Sequence, residues 1–210
     1  MKRFIPYMTM TAILVLSGLL TMNLGAGYLP GLLGTFLGGV LIAASLVACF
    51  TDLRTGMIRN STTVSAFVIV AAVYLAGSQW DALRWGMIPY DQMLLGFFTC
   101  FFLTVVPYWV SRKGAGDVKL AALFGAVLGP LPGLAAVVLA YTLGAAVLFS
   151  SHLIHHGVQA TFRALYKSLF SWVVPLWVAP PDSWEKSLLN RAIPLGPGFC
   201  LAAFVVLCRL

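Results

Sequence analysis

The sequence predicts an all-α, polytopic membrane helix bundle, and three observations carry that prediction. Hydrophobic residues make up 60% of the 210-residue chain and charged ones only 9%, with mean hydropathy +0.95, where a soluble domain carries roughly 25% charged residues. Apolar runs of near-spanning length follow one another along the chain, about seven of them when a bilayer crossing is taken to need some 20 apolar residues, fewer inside a bundle. Placed alternately with the N-terminus inside, these runs leave Lys2, Arg3, Arg54, Arg59, Arg112, Lys113, Lys119, Arg163, Lys167, Lys186 and Arg191 on the inner side and only Arg84 and Arg209 of the thirteen basic residues outside. That skew is what the positive-inside rule demands, so the N-terminus is cytoplasmic. The net charge of +7 therefore reports topology, and no basic run with interleaved aromatics calls for nucleic acid.

The elements follow in order. A first span over residues 8–29 behind Met1-Lys2-Arg3 lacks a small-x-small cleavage site and is read as a retained helix. Pro30-Gly31 turns the chain into a second span from Leu32 to Phe50, where Gly34, Gly38 and Gly39 allow close helix contact. A short third span covers Thr62 to Ala76. Beyond a polar stretch from Gly77 to Asp91 lies the Phe-rich fourth, Met93 to Val110, and then the charged turn Lys113-Gly114-Ala115-Gly116-Asp117. The fifth span begins at Asp117 and breaks at Gly129-Pro130-Leu131-Pro132-Gly133. A sixth runs from Leu134 to Ile154. Between His155 and Arg191, Phe162, Leu165, Tyr166, Leu169 and Trp172 recur at helical spacing opposite Arg163 and Lys167, the pattern of a helix lying at the interface. A last span, Ile193 to Leu207, closes the chain. We expect one membrane-embedded domain over 1–210, with 1–30 an additional helix, 31–210 the core and 155–191 an inner interfacial segment.

Metal and disulfide chemistry find little support. Cys49, Cys100, Cys200 and Cys208 have no C-x-x-C spacing and read as reduced packing residues. His152, His155 and His156 could bring two imidazoles to one helix face, but no acidic partner stands near, and an interfacial cluster is the simpler reading. Trp172, Trp177 and Trp184 read as interface anchors. No cofactor is implied.

Carboxylates are the informative feature. Of six acidic residues, Asp81 and Asp91 fall in the outer loop and Asp182 and Glu185 in the inner polar segment. Asp52 and Asp117 remain, both at helix ends on the cytoplasmic side. An acidic residue there is costly and marks a functional site. Asp52 closes the second span, where the helix dipole disfavours an anion; Asp117 opens the fifth, where it can cap free amides and the dipole favours its ionised form. Two carboxylates pushed apart in proton affinity are what acid/base hydrolysis of a peptide or ester requires. Gly114 and Gly116 let the chain turn tightly and approach a substrate strand. The competing reading makes Asp117 a helix cap and Asp52 a loop residue paired with Arg54, in a non-catalytic transporter or secretion/pilus assembly subunit. Spacing alone leaves both open. Lys119 either holds Asp117 ionised or orients a carbonyl, or else is only an inside-positive marker, and Arg54 stands in the same relation to Asp52.

Longer motifs favour catalysis. Asp52-Leu53-Arg54 followed by Ile58 and Asn60 resembles the D-x-R…I-P-N segment of the type IV prepilin peptidases. Gly114-Ala115-Gly116-Asp117-Val118-Lys119 resembles their G-x-G-D-x-K signature, and Ile193-Pro194-Leu195-Gly196-Pro197 their I-P-x-G-P segment. The resemblance implies a GxGD aspartyl endopeptidase of the bacterial inner membrane that cuts prepilin or pseudopilin leaders after a glycine at the cytoplasmic face. Asp52 and Asp117 would be its catalytic pair, with Gly114 and Gly116 presenting Asp117 and Arg54, Asn60 and Lys119 shaping the site. Three departures stand out, one being that the first span and the inner segment from His155 to Arg191 exceed the minimal small members of the family. The family's I-P-N reads Ile58-Arg59-Asn60 here, with Asn60 still expected to cap the third span. The cysteine-rich zinc insert of the larger, bifunctional members is missing, so no N-methyltransferase activity is carried over. Oligomeric state, the class of pilin and whether the new N-terminus is methylated are left open.

Overall fold

The computed structural model describes residues 31–77, 87–111, 114–173 and 195–209, together with Val15. Among these every regular element is a helix: α1 (Leu32–Thr55), α2 (Asn60–Gly77), α3 (Tyr90–Ser111), α4 (Ala115–Leu128), α5 (Pro130–Val173) and α6 (Gly196–Arg209). The expected first span and the inner segment beyond residue 173, with Trp177 and Trp184, lie outside the described residues. The chain divides into two compact units, Met1–Thr142 with Pro194–Leu210, and Leu143–Ile193.

In the first unit, α1 packs on α6, α2 and α4, while α4 also contacts α2 and packs extensively on α3. The core runs through Leu37, Val40, Leu41 and Ala44 of α1, Leu120, Leu123 and Phe124 of α4, Val137 and Ala140 of α5 and Phe199 of α6, all but inaccessible. Backbones approach closely where Gly96 of α3 meets Gly125 of α4, and a Cβ at Gly133 would lie 2.8 Å from the Cα of Gly125. Small residues at such crossings are how helices pack when lipid supplies no hydrophobic drive between them.

Among the described residues three helices are long and apolar enough to cross a membrane, α1, α2 and Pro130–Val147 of α5, while Tyr90–Val106 and Gly196–Leu207 are apolar but shorter. Against the expectation of about seven spans, α4 is the informative case. Its 14 residues reach only ~21 Å at 1.5 Å per residue, less than the ~30 Å hydrocarbon core. It is instead wrapped by its neighbours, and Val118 and every residue from Leu120 to Leu128 are buried. The opposite environment is seen on α3, where Leu95, Phe98, Phe102, Val106 and Trp109 are exposed as a lipid-facing stripe would be.

Several boundaries differ from the sequence expectation. The break between α4 and α5 is confined to Gly129 (φ 85°, ψ −178°), and Pro130 already starts α5, four residues ahead of the predicted Leu134. Proline suits that place because the first helical N–H groups have no intrahelical acceptor. In the second unit α5 continues to Val173 through a non-helical Gly157 (φ 77°, ψ 164°). Phe149 and Phe162, on either side of it, meet edge to face at 5.8 Å. Phe162 and Tyr166 are exposed; the side chains of His152, His155, His156, Leu165, Leu169 and Trp172 lie outside the described residues.

Candidate active site

Asp52 sits in the last turn of α1, which Gly56 ends in the left-handed conformation (φ 65°, ψ 19°), donating its N–H to the Asp52 carbonyl at 2.8 Å. Left-handed glycine is the common device for stopping a helix. Asp52 is only 7% exposed. Its Oδ2 accepts a hydrogen bond from the backbone N–H of Gly196 at 2.8 Å, the first residue of α6, and the Leu195 amide also faces the carboxylate. The dipole of α1 opposes a charge at its own C-terminus, but the carboxylate is turned onto the N-terminus of a second helix, where free N–H groups welcome an anion. Glycine is needed for the approach: a Cβ at 196 would lie 2.8 Å from Cys49 Cα and 3.0 Å from both the Ala48 carbonyl oxygen and Asp52 Cβ.

Asp117 is placed differently from the cap that its position suggested. α4 begins two residues earlier, at Ala115, with Gly114 in the cap position (φ 90°, ψ 29°), because glycine alone enters that backbone region without strain. Asp117 stands in the first turn, its own N–H donated to the Gly114 carbonyl at 2.9 Å. The half-buried side chain folds back over Gly114, and a Cβ on that glycine would fall 2.5 Å from Asp117 Oδ2. Gly116 serves another purpose than substrate approach: a Cβ there would lie 2.7 Å from Ile58 Cβ. That contact seats the start of α4 on the connection between α1 and α2.

These connections bring both carboxyls to one end of the first unit, where Asp117 lies within electrostatic reach of Asp52 and of Tyr141 on α5. Tyr141 meets Phe199 edge to face at 6.2 Å, and Phe199 meets Phe124 at 5.4 Å, so α4, α5 and α6 converge on one aromatic cluster beneath the pair. Two basic neighbours are engaged elsewhere. Lys119 donates from Nζ to Asn60 Oδ1 at 2.8 Å, tying α4 to the start of α2. Arg54 lies over the Phe50 ring, 4.4 Å from its centroid, one turn further along α1. Asn60 opens α2, as expected for a residue at that helix start, but its side-chain oxygen is occupied by Lys119. Cys49, Cys100 and Cys200 are free thiols, Cys100 fully buried.

Sequence reasoning missed the roles of Gly196 and Tyr141. For Gly196 a signal existed: a glycine set between Pro194 and Pro197 at the start of an apolar run marks a backbone position with a purpose. Tyr141 carried none, being one aromatic in a continuous apolar block.

Two carboxyls within electrostatic reach at neighbouring helix ends are a pairing that acid/base chemistry can use. The type IV leader peptidase family matches residues 39–149, more than half of the chain, and the protein belongs to that family of membrane proteases. The match includes Asp52, Gly114, Gly116 and Asp117 and ends before α6. No curated protein and no solved structure matches the chain.

Proposed function

We propose that the protein is an aspartyl endopeptidase that removes the leader peptide of prepilins or pseudopilins, after a glycine, at the cytoplasmic face of the bacterial inner membrane, which it crosses several times. The observation that carries this reading is the meeting of Asp52 and Asp117. They come from different helices, are held by different backbone contacts, and still share one end of the unit. Nothing in helix packing requires two acids to be brought together there, and mutual repulsion of like charges makes it costly unless they share a proton.

One carboxylate then takes a proton from water while the other donates to the scissile carbonyl, the division of labour of paired-acid hydrolysis. An apolar substrate helix with a short basic leader reaches this end from the membrane side. Gly114 and Gly116 fix where Asp117 stands, and Lys119, Asn60 and Arg54 shape the surroundings without touching either carboxyl.

Co-expression with a prepilin tests the reading. Wild type shortens the substrate by its leader, whereas Asp52→Asn and Asp117→Asn leave it full length while accumulating in the membrane at wild-type amounts. Full processing by either variant would sink the assignment.

A further inference from the structure

Gly196 points to which of the two carboxyls holds the proton. Asp52 is nearly inaccessible, yet its Oδ2 takes the first N–H of α6 at 2.8 Å, and the adjacent Leu195 amide faces it too. Asp117 receives no side-chain hydrogen bond among the described residues, and its Oδ2 instead lies over the Cα of Gly114. Backbone N–H groups at a helix start stabilise the ionised carboxylate and give nothing to the neutral acid's own proton. Two neighbouring acids with one proton between them place it on the member lacking such donors.

Resting on the aspartyl protease reading, we infer that Gly196 is a positioning residue that keeps Asp52 ionised as the general base and leaves the proton of the pair on Asp117, the general acid. The assignment reverses the one that helix position alone suggests. The reaction balances as follows. Asp52 takes a proton from water as the water oxygen bonds to the scissile carbonyl carbon, and Asp117 gives its proton to the carbonyl oxygen, producing a gem-diol. Asp52 then protonates the nitrogen as the C–N bond breaks, and Asp117 recovers a proton from one diol hydroxyl as the carboxylic acid forms. Both residues end as they began, with one water consumed.

The groups around the pair are compatible with this arrangement. From α6 only amides face Asp52, with the Cys200 thiol further along facing Cys49; Cys49 is the ionisable group beside Asp52 on α1, Asp117 faces it from α4, and Tyr141 faces Asp117 from α5. No cation reaches either carboxyl from α1, α2 or α4 among the described residues, since Lys119 is bound to Asn60 and Arg54 lies on Phe50.

Two measurements on the full-length protein in lipid nanodiscs test this. A hydrophobic carbodiimide reacts with protonated carboxyls, and peptide mapping of the wild type near neutral pH should find the adduct on Asp117, with Asp52 acquiring it only as the pH is lowered. An adduct on Asp52 first, or labelling of both only at low pH, overturns the inference. In the second, Gly196→Ala forces α6 away from Cys49 and weakens the hydrogen bond. The acidic limb of kcat/KM should then move up by about one pH unit, the size expected for losing a hydrogen bond to a charged group. An unshifted limb with kcat merely lowered would make Gly196 a packing residue and contradict the proposal. The same nanodiscs are assayed for prepilin cleavage. Failure of the wild type to cleave removes the protease reading itself, while cleavage with the label first on Asp52 removes only the proton assignment.

Discussion

Asp52 and Asp117 occupy opposite kinds of helix end, and the structure treats them in the opposite way from what those ends suggest. Asp52, at the C-terminus of α1, is buried and receives a backbone N–H from another helix. Asp117, in the first turn of α4, is half-buried and lies back over a glycine with no such donor among the described residues. What matters for a carboxylate is the helix end it faces rather than the one that carries it. The same contrast separates the two left-handed glycines beside them. Gly56 has nothing within 4 Å of where a Cβ would be, while at Gly114 the space is taken by the Asp117 carboxylate.

Substitutions can break or sharpen that contrast, and the largest effect is expected at Gly114. Gly114→Ala must displace the Asp117 carboxylate, and misplacing a reacting group by ~1 Å costs on the order of 10²-fold in rate. Gly56→Ala carries a similar backbone penalty of about 1–2 kcal/mol in thermal stability but should leave the rate of leader cleavage nearly unchanged. Equal losses of activity in the two variants would erase the difference between the two turns.

Gly116→Ala comes next. The added methyl meets Ile58 Cβ, and overpacking of this kind costs about 1–3 kcal/mol. The double variant Gly116→Ala/Ile58→Ala should recover part of the loss, with a coupling energy of about 0.5–3 kcal/mol in a thermal-unfolding cycle; strict additivity would refute the contact. Lys119→Met removes the hydrogen bond to Asn60, worth roughly 0.5–1.5 kcal/mol, and should alter kcat by less than about threefold, since ~0.6 kcal/mol of barrier corresponds to that factor. A collapse of kcat would mean that Lys119 acts on the carboxyl pair after all. Smallest is Arg54→Ala, which gives up a cation–π contact of about 0.5–1 kcal/mol at an exposed site and leaves cleavage intact.

Much of this was legible in the sequence. Asp52 and Asp117 stood out because an apolar chain tolerates few acids, and the connection between α1 and α2 could be placed between the second apolar run and Asn60. The limits of α1, α2 and α3 fell within a few residues of the apolar runs, since burial in lipid or protein demands continuous hydrophobicity. The length and setting of α4 were not legible, because a helix wrapped by other helices and one facing lipid have the same composition. Pro130 misled for a related reason: proline both breaks a helix and starts one, and only the backbone of Gly129 decides which. The tie from Gly196 to Asp52 was hidden because it joins distant parts of the chain through a main-chain N–H, which every residue but proline carries. A glycine between prolines hinted at it without naming a partner.

Mass spectrometry of a purified prepilin incubated with the purified protein, in a metal chelator and without nucleotide, tests the central claim most directly. The account predicts a single cut after the leader glycine by the wild type and an intact substrate with Asp52→Asn or with Asp117→Asn. Cleavage by either variant, or by the wild type only when a metal is restored, would contradict it.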